Sequence, residues 1–216
     1  MQIVYTGGKS IVMIIKVCGL KSAKNLLEVS LLGINMVGYN FYVKSPRYVD
    51  IDMPEIKGEI QKVGVFVNDT IEKIREKKER YGLNFIQLHG DESPDFALMV
   101  QDICPVIKAF RIDEQFDGEL LNEFGFVSYF IFDTVTPYFG GSGKKFDWNK
   151  LYHFNIRVPF LLSGGIGPGD SAKILEIQHP FFAGIDINSK FEVSPGVKDI
   201  ATINKFLLSL NPIINR

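Results

Sequence analysis

The stretch "IIKVCGLKSAKNLLEVSL", residues 14–31, holds the reading that decides the fold. Its first five residues are a short, β-rich apolar run. The remainder carries Ala23, Leu26, Leu27 and Leu31 at helical spacing. A strand passing directly into an amphipathic helix is half of a βαβ unit. The junction reads Cys18-Gly19-Leu20, whereas an open doubly wound sheet usually shows a GxGxxG turn after its first strand.

The same pattern continues along the chain. Apolar runs follow at 34–41 (INMVGYNF), 62–67 (KVGVFV), 84–88 (NFIQL), 105–110 (PVIKAF), 128–133 (SYFIFD), 158–162 (VPFLL) and 181–187 (FFAGIDI). Polar segments separate them, some with apolar residues at helical spacing, such as Ile174, Leu175 and Ile177. Strand and helix alternating at this pitch imply parallel pairing through right-handed crossovers. Eight such units in one domain close most naturally into a (β/α)8 TIM barrel, and 216 residues suit a single barrel. The expected organisation is an α/β single-domain barrel over 13–216, with residues 1–12 an N-terminal extension. A second methionine, Met13, stands where the first run begins. The "GGKS" at 7–10 is not a phosphate loop, because Ile3 occupies the place of the motif's first glycine and no strand is expected before it. The span from Arg47 to Lys62 is short for a loop plus a full helix, so a single turn or irregular backbone is expected there.

Composition narrows the function. Net charge is −1, which gives no basic surface for nucleic acid or for a membrane. The densest charge run, EKIREKKER at 72–80, has Ile71 and Ile74 on its other side and reads as a solvated helix face. Two cysteines without a CxxC pair and three scattered histidines argue against a metal site and for a reducing, cytoplasmic setting. No apolar run approaches the about 18 residues that span a bilayer, and Lys16 breaks the one candidate signal core.

In such barrels chemistry gathers where strands end and βα-loops begin. Cys18 closes the first run. A cysteine there is ordinarily an inert core residue, with a reactive thiol as the second reading. Asp133 closes the sixth, where a carboxylate against an apolar strand is costly unless it is hydrogen-bonded or functional. Arg47, between Pro46 and Tyr48, is either a solvated arginine or a carboxylate clamp at the barrel mouth. His89 reads as a loop histidine bonded to backbone rather than a proton-transfer group. After the seventh run, Gly164 and Gly165 let backbone N–H groups approach an anion, and "GPGD" opens a helix start that favours negative charge.

Together these segments resemble the phosphoribosylanthranilate isomerase family. The resemblance rests on KVCGL (16–20), KSPRYV (44–49), VGVFVN (63–68), IQLHGDE (86–92), VIKAFR (106–111), FDTVTPYFGGSGKKFDW (132–148), LLSGGI (161–166) and PGVKD (195–199). It runs in order from about residue 14 to 200. It implies a (β/α)8 barrel that performs an Amadori rearrangement of a phosphorylated substrate in tryptophan biosynthesis, without metal or organic cofactor. It makes Cys18 the general base and Asp133 the general acid, whose pKa apolar neighbours such as Ile131 and Phe132 are expected to raise. A thiol with an ordinary pKa near 8.5 is within reach of cytoplasmic pH. Arg47 is expected to hold the anthranilate carboxylate, and Gly164, Gly165, Asn188 and Ser189 the phosphate, with His89 a further substrate-binding candidate. The glycine loop after the sixth run is expected to close over the substrate. Lys190 stands where the family often has glycine, which implies either strain at a positive φ or an added phosphate ligand. A catalytic lysine at the first strand end, as in indole-glycerol-phosphate synthase, is disfavoured because Lys16 lies one layer deeper than Cys18. A catalytic aspartate pair, as in the histidine-pathway isomerase, is disfavoured by the cysteine. The alternative from another class is a barrel that binds a phosphorylated ligand without turnover. A monomer or homodimer is expected.

Overall fold

The computed structural model describes residues 2–6, 9–134 and 145–210. Eight strands follow one another round a closed parallel barrel: β2 (Lys9–Cys18), β3 (Met36–Asn40), β4 (Gln61–Phe66), β5 (Phe85–Leu88), β6 (Val106–Ile112), β7 (Tyr129–Thr134), β8 (Phe160–Leu162) and β9 (Phe182–Ile187). The seam is β2 against β9, with Ile14 opposite Gly184 and Lys16 opposite Asp186. All eight apolar runs thus become barrel strands. They read as continuous rather than alternating because both faces are covered. Inside, Met36, Val63, Ile107, Ala109, Ile131 and Leu161 form one buried cluster. Outside, residues such as Val17, Phe66, Phe110, Phe130, Phe132 and Phe160 pack beneath the helices, each stabilising by roughly 1.5–3 kcal/mol.

The helical layer is less regular than the sequence implies. Helices α1 (Ala23–Ser30), α2 (Ile71–Tyr81), α3 (Pro94–Gln101), α4 (Ser171–Leu175) and α5 (Ile200–Ser209) follow β2, β4, β5, β8 and β9. Ser22, Thr70, Ser93 and Asp199 cap four of them through side-chain oxygens, each satisfying an otherwise orphaned N–H. β6 and β7 are followed by 3₁₀ turns, Gly118–Phe124 and Trp148–His153. Between β3 and β4 the backbone makes turns and irregular coil. Pro46, Pro54 and Gly58 in that stretch deny a helix its donors and its backbone bias. The run 72–80 lies on α2 with Ile74 buried and its charges largely outward.

Before Met13, residues 2–6 and 9–12 contribute to a two-stranded antiparallel arm. β1 (Gln2–Thr6) pairs antiparallel with the first half of β2, from Gln2 opposite Met13 to Thr6 opposite Lys9. "GGKS" therefore does follow a strand, contrary to expectation, but its Lys9 and Ser10 open a strand rather than a helix, which is not phosphate-loop geometry. A small hairpin, β10 (Glu192–Ser194) with β11 (Val197–Lys198), precedes α5. No helix among the described residues is long and apolar enough to cross a membrane.

Candidate active site

All eight residues singled out in the sequence line one cleft at the C-terminal ends of the strands: Cys18, Arg47, His89, Asp133, Gly164, Gly165, Asn188 and Ser189. Strand alternation explains the aim of the two reactive groups. Ile14, Lys16 and Cys18 share one face of β2, and Tyr129, Ile131 and Asp133 one face of β7. Beside Cys18 the neighbouring strand carries Gly38, where a Cβ would lie 2.7 Å from the Cys18 sulfur. Gly19 follows at φ +77°, and a Cβ there would meet Arg47 Cδ at 2.6 Å and Asn188 Oδ1 at 2.7 Å. Two glycines thus open the space around the thiol and let the arginine loop close over it.

Asp133 is set among polar partners. Its Oδ1 accepts from Thr134 N at 2.7 Å, and its Oδ2 lies 3.3 Å from His89 Nε2. Phe132 points the other way into the outer core, so the apolar envelope expected around the carboxylate is replaced on one side by an imidazole. His89 is likewise not the backbone-bonded loop histidine expected. Its Nδ1 meets the Gln87 side-chain nitrogen at 2.7 Å, so the amide donates to Nδ1 and the neutral ring carries its proton on Nε2, toward Asp133. Gly164, at φ +80°, backs the carboxylate: a Cβ there would lie 2.4 Å from Thr134 Oγ1 and 2.8 Å from Asp133 Oδ1.

Arg47 has a partner that the sequence reading did not name. Its Nε and Nη2 are held by Glu192 at 2.9 and 2.7 Å. Glu192 also accepts from Lys198 Nζ at 2.7 Å and Gly196 N at 3.0 Å, and Lys198 Nζ reaches Asn188 Oδ1 at 2.7 Å. Gly164 and Gly165 both take positive φ, +80° and +70°, turning the loop after β8 toward Asn188 and Ser189. Lys190 is exposed and does not take the positive φ feared for it; Asn68 alone among described non-glycine residues does, at 49°. The start of α4, expected to favour an anion, already carries one: Asp170 accepts from Gly167 N at 2.6 Å and pairs with Lys145.

Asp186 of the cleft lining is joined to the buried Lys16 in a pair that sequence spacing scarcely signals. Lys16 Nζ bonds Asp186 Oδ2 at 2.9 Å, with side-chain exposures of 0% and 5%. Burial works against the Lys16 charge, but Asp186 and Cys18 outweigh it and hold the ammonium above its ordinary value. Burial pushes the Cys18 thiol up, against the pull of Lys16, so the thiol is not at the ordinary value expected. The glycine loop expected to close over the cleft, residues 135–144, lies outside the described residues. A larger hollow on the barrel flank, between residues 145–152 and α4, holds none of the eight candidates.

The chain is similar to known proteins along most of its length. The family described as N-(5'-phosphoribosyl)anthranilate (PRA) isomerase matches residues 15–208. A Parabacteroides distasonis protein named N-(5'-phosphoribosyl)anthranilate isomerase is 46% identical over 205 residues, covering 90% of this chain and 92% of that protein. A Phocaeicola vulgatus protein of the same name is 39% identical over 200 residues, covering 92% and 98%. A crystal structure of phosphoribosyl anthranilate isomerase from Thermotoga maritima superposes with a TM-score of 0.77 at 32% identity, covering 92% and 98%. Another, in complex with reduced 1-(o-carboxyphenylamino)-1-deoxyribulose 5-phosphate, superposes at 0.75 with 29% identity over the same shares.

Proposed function

The chain belongs to the N-(5'-phosphoribosyl)anthranilate isomerase family, and from that premise we propose that it converts N-(5-phosphoribosyl)anthranilate into 1-(2-carboxyphenylamino)-1-deoxyribulose 5-phosphate, a step of tryptophan biosynthesis. The observation that carries this reading is a thiol and a carboxyl group, Cys18 and Asp133, entering one cleft from strands that are not neighbours. A sugar held between them presents its ring oxygen to one and C2' to the other.

In this reading protonated Asp133 gives its proton to the furanose ring oxygen, the C1'–O bond breaks, and a protonated Schiff base remains. Cys18 thiolate then removes the C2' proton, and the electron pair moves to form the enolamine. The thiol returns a proton to C1' and the enol hydroxyl gives its own to Asp133, so both groups finish as they began. His89 orients the carboxyl group, and the chain Gln87–His89–Asp133 fixes that orientation.

Arg47 is assigned to the anthranilate carboxylate. Glu192 engages two of its nitrogens, so the substrate is met through Nη1 rather than by a two-point fork. The phosphate is assigned to backbone N–H groups at Gly164 and Gly165 together with Asn188 and Ser189. Lys190 is exposed beside this loop and adds long-range charge rather than a ligand.

The test is loss of substrate fluorescence with purified variants. Cys18→Ser and Asp133→Asn should each lower kcat/KM by about 10²–10⁴-fold. Near wild-type turnover in either sinks its assigned role. Saturable binding without any conversion by the unmodified protein would leave only a phosphorylated-ligand binder.

A further inference from the structure

A thiol acts as a base only when ionised, and Cys18 sits where ionisation is hardest, 6% exposed at the wall of the cleft. One cation shares its strand face. Lys16 lies two residues earlier on β2, wholly buried, and is fixed by Asp186 directly across the barrel seam. Asp186 Oδ1 is buried and has no partner among the described residues, so Lys16 is its one bonded counter-charge there. This pair and the thiol one layer above it therefore bring together one positive charge and two groups able to be negative, a carboxyl and a thiol.

The other surroundings of Cys18 are accounted for. β3 presents Gly38 and no charge. Lys198 on β11 acts on the thiol from further off, its Nζ engaged by Glu192 and Asn188. Asp133 and His89 act on Asp186 from across the cleft.

We propose that Lys16 is a positioning residue for the base: Asp186 anchors its ammonium beneath Cys18, so that the thiolate forms beside a fixed positive charge instead of in an uncompensated apolar wall. The proposal rests on the reading of Cys18 as base. It makes the two members of the pair act with opposite sign. Lys16 favours the thiolate, while the charge on Asp186 disfavours it and competes for the same ammonium. A pair that merely held the seam together would, when broken at either end, disturb the thiol in the same sense.

The experiment uses Cys104→Ser as background, so that Cys18 is the one thiol; Cys104 is buried, is not part of the cleft lining, and bonds Leu83 O. The rate of alkylation by iodoacetamide is followed against pH, alongside the pH profile of kcat. Lys16→Met should slow alkylation near neutral pH by roughly tenfold or more, the change in thiolate fraction for about one pKa unit, and move the rising limb of kcat to higher pH. Asp186→Asn should leave alkylation as fast as in the parent or faster, with the limb moved to lower pH. Lys16→Arg, which keeps the charge, should stay near the parent. If Lys16→Met fails to fold by circular dichroism, the Asp186→Asn and Lys16→Arg profiles still decide the matter. Slowed alkylation in Asp186→Asn, or a parent-like profile in folded Lys16→Met, overturns the proposal. A fully active Cys18→Ser would instead overturn the base assignment, whatever the alkylation shows.

Discussion

Glu192 ties Arg47, Lys198 and the Gly196 backbone together through its two carboxylate oxygens. One carboxylate compensates both Arg47 and Lys198, whose side chains are 11% and 0% exposed. Glu192→Gln leaves a buried lysine and a half-buried arginine short of a partner, and the expected cost is about 3 kcal/mol by urea unfolding. Burial opposes ionisation of Glu192, but Arg47 and Lys198 outweigh it and hold the carboxyl below its ordinary value. A depressed folded value means that this stability is fully present above the ordinary carboxyl range, near pH 4.5, and is lost as pH falls through the folded value. The urea midpoint of the parent should therefore drop as the pH is lowered below about 4.5, and that component should be missing in Glu192→Gln. Gly164→Ala places a methyl group against Asp133 and Thr134 at a positive φ; about 1–2 kcal/mol of stability and most of the turnover should go. Cys18, Asp133 and Arg47 were legible because strand-end position and local motif mark them. Glu192 as an arginine anchor and Asp186 as a lysine anchor were not, since each meets its partner across 145 and 170 residues of chain, a closure that no local spacing encodes.

Among the elements, the strands were easier to read than the helices. A barrel strand is buried on both faces and appears as an unbroken apolar run. After β6 and β7 the apolar residues of GELLNEF and WNKLYH fit a helical period, yet six or seven residues settle into 3₁₀ turns. α2 shows what local chemistry does supply. Its polar stripe contributes little to the core, so its N-cap at Thr70 and the left-handed C-cap at Gly82 matter more. Thr70→Ala should cost about 1 kcal/mol of stability without changing kcat. The N-terminal hairpin bears on a different question. β2 pairs with its barrel neighbours only from Ile14 onward, and residues 2–6 form ladder pairs only with 9–13, although β1 also lies against α4. We infer that residues 1–12 are an appendage to the barrel over 13–216. A chain starting at Met13 should keep both turnover and a cooperative thermal transition; loss of either would make the arm part of the folding unit.

At the scale of the whole molecule, the seam between β2 and β9 is where the first and last barrel strands meet and the barrel closes. A Cβ at Gly184 would lie 2.0 Å from the Ile14 carbonyl oxygen, a backbone contact that no rotamer change relieves. Gly184→Ala should accordingly cost about 3 kcal/mol or more, seen as a lowered urea midpoint or a lost cooperative transition. Fold class could be inferred from eight repeated runs, whereas the tightness of the seam could not, because it depends on how two distant backbones approach. The ion pair across that seam has a kinetic consequence as well. An ammonium sealed in an apolar interior without its carboxylate is strongly unfavourable, and Asp186 is made 170 residues after Lys16. A growing chain that curled shut on six or seven strands would bury Lys16 without its carboxylate, so the pair is expected to penalise premature closure of the barrel.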